Sequence, residues 1–224
     1  MRKRIALVSV VLLIVSIFTS TAFGASLSVD QEVPASMIIE ELSEDAYLKG
    51  VASITNEPEH VIRSRTREAV VKLIKGIGVS GDKEIVVPLS GKLVYMRVIS
   101  TKDFSSGTAL SSPVEIGMYF TVYEYGSFRQ INSIDACWTG ASGPGPYTWT
   151  EFAKVTYPAS FPTIAIEAHA RGVVETVIDV SFSGGVELVN ALLGAGFSLT
   201  AQVGTKYYLR KVGDLFVSYR LYWY

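Results

Sequence analysis

This chain is poor in the residues from which most catalytic and metal centres are built. It holds a single cysteine, Cys137, and two histidines, His60 and His169, among 224 residues. One cysteine permits no intrachain disulfide, so the fold rests on its core alone. Two histidines in separate segments and one thiol do not make a Cys/His zinc site. There is no GxxxxGK[ST] loop, no G-x-S-x-G elbow and no dinucleotide fingerprint, so no cofactor is expected. Net charge is also scarce, with 20 basic residues against 21 acidic ones. That balance excludes a general nucleic-acid binder, whose affinity comes from neutralising phosphates.

Long apolar runs are absent too, apart from one at the start. MRKRIALVSVVLLIVSIFTSTAFGAS opens with the basic Arg2, Lys3 and Arg4, continues apolar from Ile5 to Phe18, and ends in small residues. The run is shorter than the roughly 20 residues a spanning helix requires. It reads as a cleaved signal peptide over residues 1–24, with Ala22 at the −3 position. Without its three cations the chain holds about 17 basic and 21 acidic residues, a net charge of about −4. The expected destination is extracellular.

Residues 25–78 form a charge-rich segment with two helix-like runs. PASMIIEELSEDAYLKG starts at Pro34 with acidic residues scattered through it. EPEHVIRSRTREAVVKLIKG follows Asn56, an expected N-cap with Glu59 three residues on, and Gly76 is the expected stop. Ile62, Ala69, Val70, Leu73 and Ile74 recur at helical spacing, leaving Arg63, Arg67, Lys72 and Lys75 off the stripe. The segment reads as a helical extension packed on the main domain, or as a propeptide or surface-docking element.

Residues 79–224 change to period two. EIVVPLSGKLVYMRVIS suggests two strands about Ser90-Gly91. In VEIGMYFTVYEYG, Val114, Ile116, Met118, Phe120 and Val122 alternate with Tyr119, Thr121, Tyr123 and Tyr125. Comparable alternation runs through 164–171, 174–183, 197–203 and 215–223, while VELVNALLGAG fits either helix or strand. The chain is therefore mainly β: an antiparallel β-sandwich, or a barrel-like variant, with an N-terminal helical extension.

CWTGASGPGPYTW reads as a long turn between two strands, since its prolines remove donors a phosphate cradle would use. Trp138, Tyr147 and Trp149 on that turn, with Tyr119 and Tyr123 on the tyrosine-bearing strand, are the candidate ligand-binding residues. Aromatic rings offer apolar faces to sugar rings, and tyrosine hydroxyls serve sugar OH groups. Cell-wall or another polysaccharide is the expected partner, with protein partners and membrane contact behind it; oligomeric state is open. A first alternative is a pore-forming protein inserting a hairpin from residues 172–204, whose alternating runs have the length of barrel strands. A second is a hydrolase drawing two carboxylates from Glu124, Asp135, Glu151, Glu167, Glu175 and Asp179, none of which spacing singles out. Glu167, His169 and Arg171 share one strand face, about 7 Å between successive members. The weight of motifs favours a non-catalytic module.

If the leader is read correctly, mass spectrometry of the exported protein will show an N-terminus at Ala25, or at Phe23. A chain still beginning at residue 1 would overturn that reading.

Overall fold

The computed structural model describes residues 36–77, 91–105 and 108–222; for 73–77 it describes backbone only. The expected leader and the EIVVPLS strand fall outside those ranges. Among the described residues, eight strands form two antiparallel four-stranded sheets. Sheet A has the order β1-β2-β3-β4: Ser36–Leu42, Lys92–Asp103, Pro113–Tyr125 and Phe128–Ala141. Sheet B has the order β5-β6-β8-β7, with β5 Tyr147–Tyr157, β6 Ala165–Asp179, β7 Ser198–Val203 and β8 Lys206–Arg220. Three helices accompany them, α1 Glu44–Thr55, α2 Glu59–Ile77 and α3 Gly185–Gly194. The chain is mainly β, a sandwich rather than a closed barrel, with two helices on its N-terminal side.

The period-two pattern works as strand geometry requires. Val94 and Val98 of β2, Val114, Ile116, Met118, Phe120 and Val122 of β3 and Ile131 of β4 project from one face of sheet A. They share a core with Ile166, Ala168, Ala170, Val174 and Ile178 of β6 and Leu209, Leu215 and Val217 of β8. Val189 and Leu192 of α3 join the same cluster. VELVNALLG is thus helical, with Gly184 at φ 92° as its N-cap.

Two expectations about the N-terminal segment need correcting. The first helix-like run is half strand, because MIIEEL pairs with β2 from Ser36↔Thr101 to Leu42↔Tyr95. Glu40 sits opposite Arg97 and pairs with it, so charge supports that register, and Glu41 also reaches Lys92. The helix starts only after Ser43, whose hydroxyl accepts the Ala46 N–H at 3.3 Å. Asn56 does not start α2 but ends α1: at φ 59° it is left-handed, and its N–H donates to the Ala52 carbonyl. The α2 helix begins after Pro58, whose carbonyl accepts from Val61 and Ile62, and it continues past Gly76 to Ile77.

Helices α1 and α2 cover the outer face of sheet A. Tyr47, Leu48, Val51 and Ile62 form a second apolar cluster with Tyr119 and Ala136, flanked by Tyr95 and Trp138. Its polar centre is Asp135. Ala136 pairs with Tyr119 and Ile134 with Phe120, so Asp135 is an extra residue in β4. The Tyr47 hydroxyl donates to its carboxylate at 2.6 Å and Thr66 of α2 donates at 3.3 Å. Burial, then the Asp135 charge, hold the Tyr47 phenol protonated well above its ordinary range.

The two alternating runs within 172–204, the hairpin of the pore-forming alternative, are not paired with each other here. β6 pairs with β5 and β8, whereas β7 pairs only with β8. Its two alternating runs are separated by α3 and end up with β8 between them, because β8 offers a fifteen-residue partner to β6.

Tyr47→Phe removes the bond that ties α1 to the β4 bulge and should cost about 1.5–3 kcal/mol. Urea denaturation at unchanged slope measures it; a midpoint equal to wild type would show the tether to be dispensable.

Candidate functional site

The five aromatic residues expected at a binding platform are separated by the fold. Tyr119 and Tyr123 lie on the outer face of β3, but that face is roofed: Tyr119 is 7% and Tyr123 1% exposed. Tyr119 lies in the apolar cluster that α1 and α2 form on that face. Tyr119 packs edge-on against Tyr47 at 5.6 Å and beside Trp138 at 5.0 Å. The Tyr123 ring lies where a Cβ on Gly91 would stand, 2.1 Å away. Trp138 lies across Gly117, where a Cβ would come within 2.2 Å of the indole, and its Nε1 donates to Glu115 at 2.8 Å.

Tyr147 and Trp149 belong to the opposite sheet. The GASGPG run is the corner by which the chain leaves β4 and enters β5, crossing from sheet A to sheet B. Tyr147 holds that corner: its buried hydroxyl donates to the Pro113 carbonyl at 2.6 Å and accepts the Gly143 N–H at 2.9 Å. Gly143 has no room for a side chain, since a Cβ would meet Pro113 at 2.5 Å. Trp149 turns inward over Gly172 and toward Phe104, ring centres 5.8 Å apart. Its Nε1 donates to Thr139, which donates at 2.6 Å to Glu151, itself paired with Lys154 at 3.3 Å.

The remaining candidates are similarly dispersed. Cys137 faces the sandwich interior opposite Met118, whereas His169 faces outward from β6, so no Cys–His pair exists. Asp135 serves Tyr47, Glu124 pairs with Arg129, and Asp179 accepts the Ser181 N–H. Glu167 and His169 approach at 3.5 Å as the alternation suggested, but Arg171 turns to Asp214 at 3.6 Å. Among the described residues no group of three His, Cys, Asp or Glu side chains is placed to hold a metal ion.

Sequence reasoning missed a surface, the outer face of sheet B. Register places Tyr157 of β5, His169 of β6 and Phe216 of β8 near one another on it. The His169 ring lies 6.1 Å from Tyr157 and 4.7 Å from Phe216. Further along, Pro146, Thr148, Glu175, Val177, Thr200 and Tyr208 line a depression of about 320 Å³. Val155, Tyr157, Val177, Tyr208 and Val212 each leave at least 36% of their surface open. On strands read one at a time, single exposed apolar residues carry no signal; the face exists only once β5, β6 and β8 are aligned. Comparison with protein-family models, curated proteins and solved structures finds no match for this chain.

Burial, with Glu151 adding to it and Lys154 opposing it, pushes the Cys137 thiol up to about 11. At pH 8 only about one thiol in a thousand is then ionised, and the thiolate is the reactive form. Iodoacetamide should label the folded protein slowly at pH 8, the rate rising about tenfold per pH unit toward 11. Rapid labelling at pH 8 would contradict the buried placement.

Proposed function

We propose that this chain is an exported, non-catalytic binding module that holds a carbohydrate or cell-surface polymer on the open face of sheet B. The observation that carries the reading is that face itself. One end presents the aromatic row of Tyr157, His169 and Phe216. The other presents a depression lined by Tyr208, Glu175, Thr148 and Thr200. Apolar ring faces beside a few hydrogen-bonding groups are what a sugar demands of a protein surface. Eight residues of β8 separate Phe216 from Tyr208, about 26 Å at the rise of a strand. An extended polymer fits that span better than a single sugar.

Export rests on the N-terminal run of residues 1–24, and a wall polymer suits a protein released beyond the membrane. The reading moves the aromatic site away from Trp138, Tyr147 and Trp149, whose rings are used to close the fold.

Co-sedimentation with insoluble cell-wall polysaccharide tests it. Tyr157→Ala with Tyr208→Ala should weaken capture about tenfold or more at unchanged Tm, from the loss of two aromatic contacts. Trp138→Ala and Trp149→Ala should each cost about 3–5 kcal/mol of stability and leave capture per folded molecule unchanged. Capture that survives the tyrosine pair and vanishes with either tryptophan would return the site to the loop and sink the proposal.

A further inference from the structure

Residues 180–205 read VSFSGGVELVNALLGAGFSLTAQVGT, and Glu187 is the one charged residue among them. Neither the core nor the open sheet face accounts for so little charge in a stretch that is largely exposed. The β6–α3 loop and the β7–β8 turn meet at one end of sheet B, where the Val180 N–H donates to the Thr205 carbonyl at 2.8 Å. Phe182 stands on the loop, Val186 on the first turn of α3 and Val203 at the end of β7, beside the hairpin turn. They are 53%, 54% and 64% exposed. A Cβ built at Gly184 or Gly204 beside them would meet nothing within 4 Å. Three apolar side chains, each more than half exposed, therefore stand at or beside these two chain reversals.

We propose that this tip is a membrane-contact site that seats Phe182, Val186 and Val203 shallowly in the surface of a zwitterionic bilayer. A protruding set of turns offers little flat area to a second copy, whereas acyl chains accept side chains of any outline. The backbone is prepared for a poorly hydrated setting. Gly185 N–H donates to the Phe182 carbonyl at 3.2 Å and Leu188 to Gly184 at 3.0 Å. The flanking cations are matched across the strands, Lys206 by Asp179 and Arg210 by Glu175, with Glu187 a further acid, so the contact is apolar and not a response to anionic lipid. Among the described residues no helix is long and apolar enough to cross a membrane, so the contact is interfacial. The proposal is independent of polysaccharide binding, which uses another surface.

The test uses the full chain with Cys137→Ser and Val203→Cys, carrying an environment-sensitive fluorophore, with Ser160→Cys at the far end of sheet B as control. Phosphatidylcholine vesicles should shift the label at position 203 to the blue, leave the one at 160 unchanged, and act equally at high salt. Adding Phe182→Ser should weaken the titration about tenfold. No shift at 203, or equal shifts at both sites, would overturn the proposal; the latter would mean that the Ile5–Phe18 run brings the chain to the bilayer without the tip. A shift needing anionic lipid and lost in salt would replace the apolar contact with an electrostatic one. A shift that grows with protein concentration without vesicles would show that a second copy covers the tip.

Discussion

β3 is buried on both of its faces, and the arrangement of every other layer follows from that. One face carries Val114, Ile116, Met118, Phe120 and Val122, the other Gly117, Tyr119, Thr121 and Tyr123, all of them buried. A strand of this kind needs a layer on each side. Sheet B supplies one and α1 with α2 the other, so sheet A becomes the middle layer. The helices leave sheet B alone, and its outer face stays open with apolar side chains still on it.

Glycine opposite aromatic recurs wherever a large ring must cross a strand. Trp138 lies over Gly117, Trp149 over Gly172, Tyr123 over Gly91 and Phe104 over Gly213. In each pair the absent Cβ is the space the ring occupies, so the aromatic supply that suggests a binding surface serves mostly to fill the fold. The rings on the open face of sheet B, Tyr157, Phe216 and Tyr208, come from residues that no pattern in the linear sequence sets apart. A second polar device, the Asp135 bulge, gathers Tyr47 of α1 and Thr66 of α2 on one carboxylate and holds the roof to β4.

Strand alternation was readable where it ran long. The inward sets of β3 and β6 follow it residue by residue, and GASGPG is the turn between two strands that its chemistry suggests, though only the structure shows it crossing between sheets. Short or ambiguous runs misled. MIIEEL has helix-compatible acids and a preceding Pro34, but its pairing with β2, including Glu40 with Arg97, outweighs local preference. Asn56 fits the start of one helix and the end of another equally well, because the same short polar side chain tolerates the left-handed region. The two alternating runs in 172–204 looked like a hairpin because strand pairing over distance leaves no local trace.

The sequence by itself determined which residues share a strand face, because side chains alternate along any extended chain whatever surrounds it. It also determined that this chain has no disulfide within itself, there being one thiol to form it. Only the tertiary structure decided which faces meet solvent. A row of tyrosines reads the same under a helix as in water, since the ring accepts burial and the hydroxyl accepts hydration. Whether Tyr119 is a platform or a packing residue depends on where α1 and α2 dock, and that is set by contacts such as Tyr47 with Asp135, 88 residues apart.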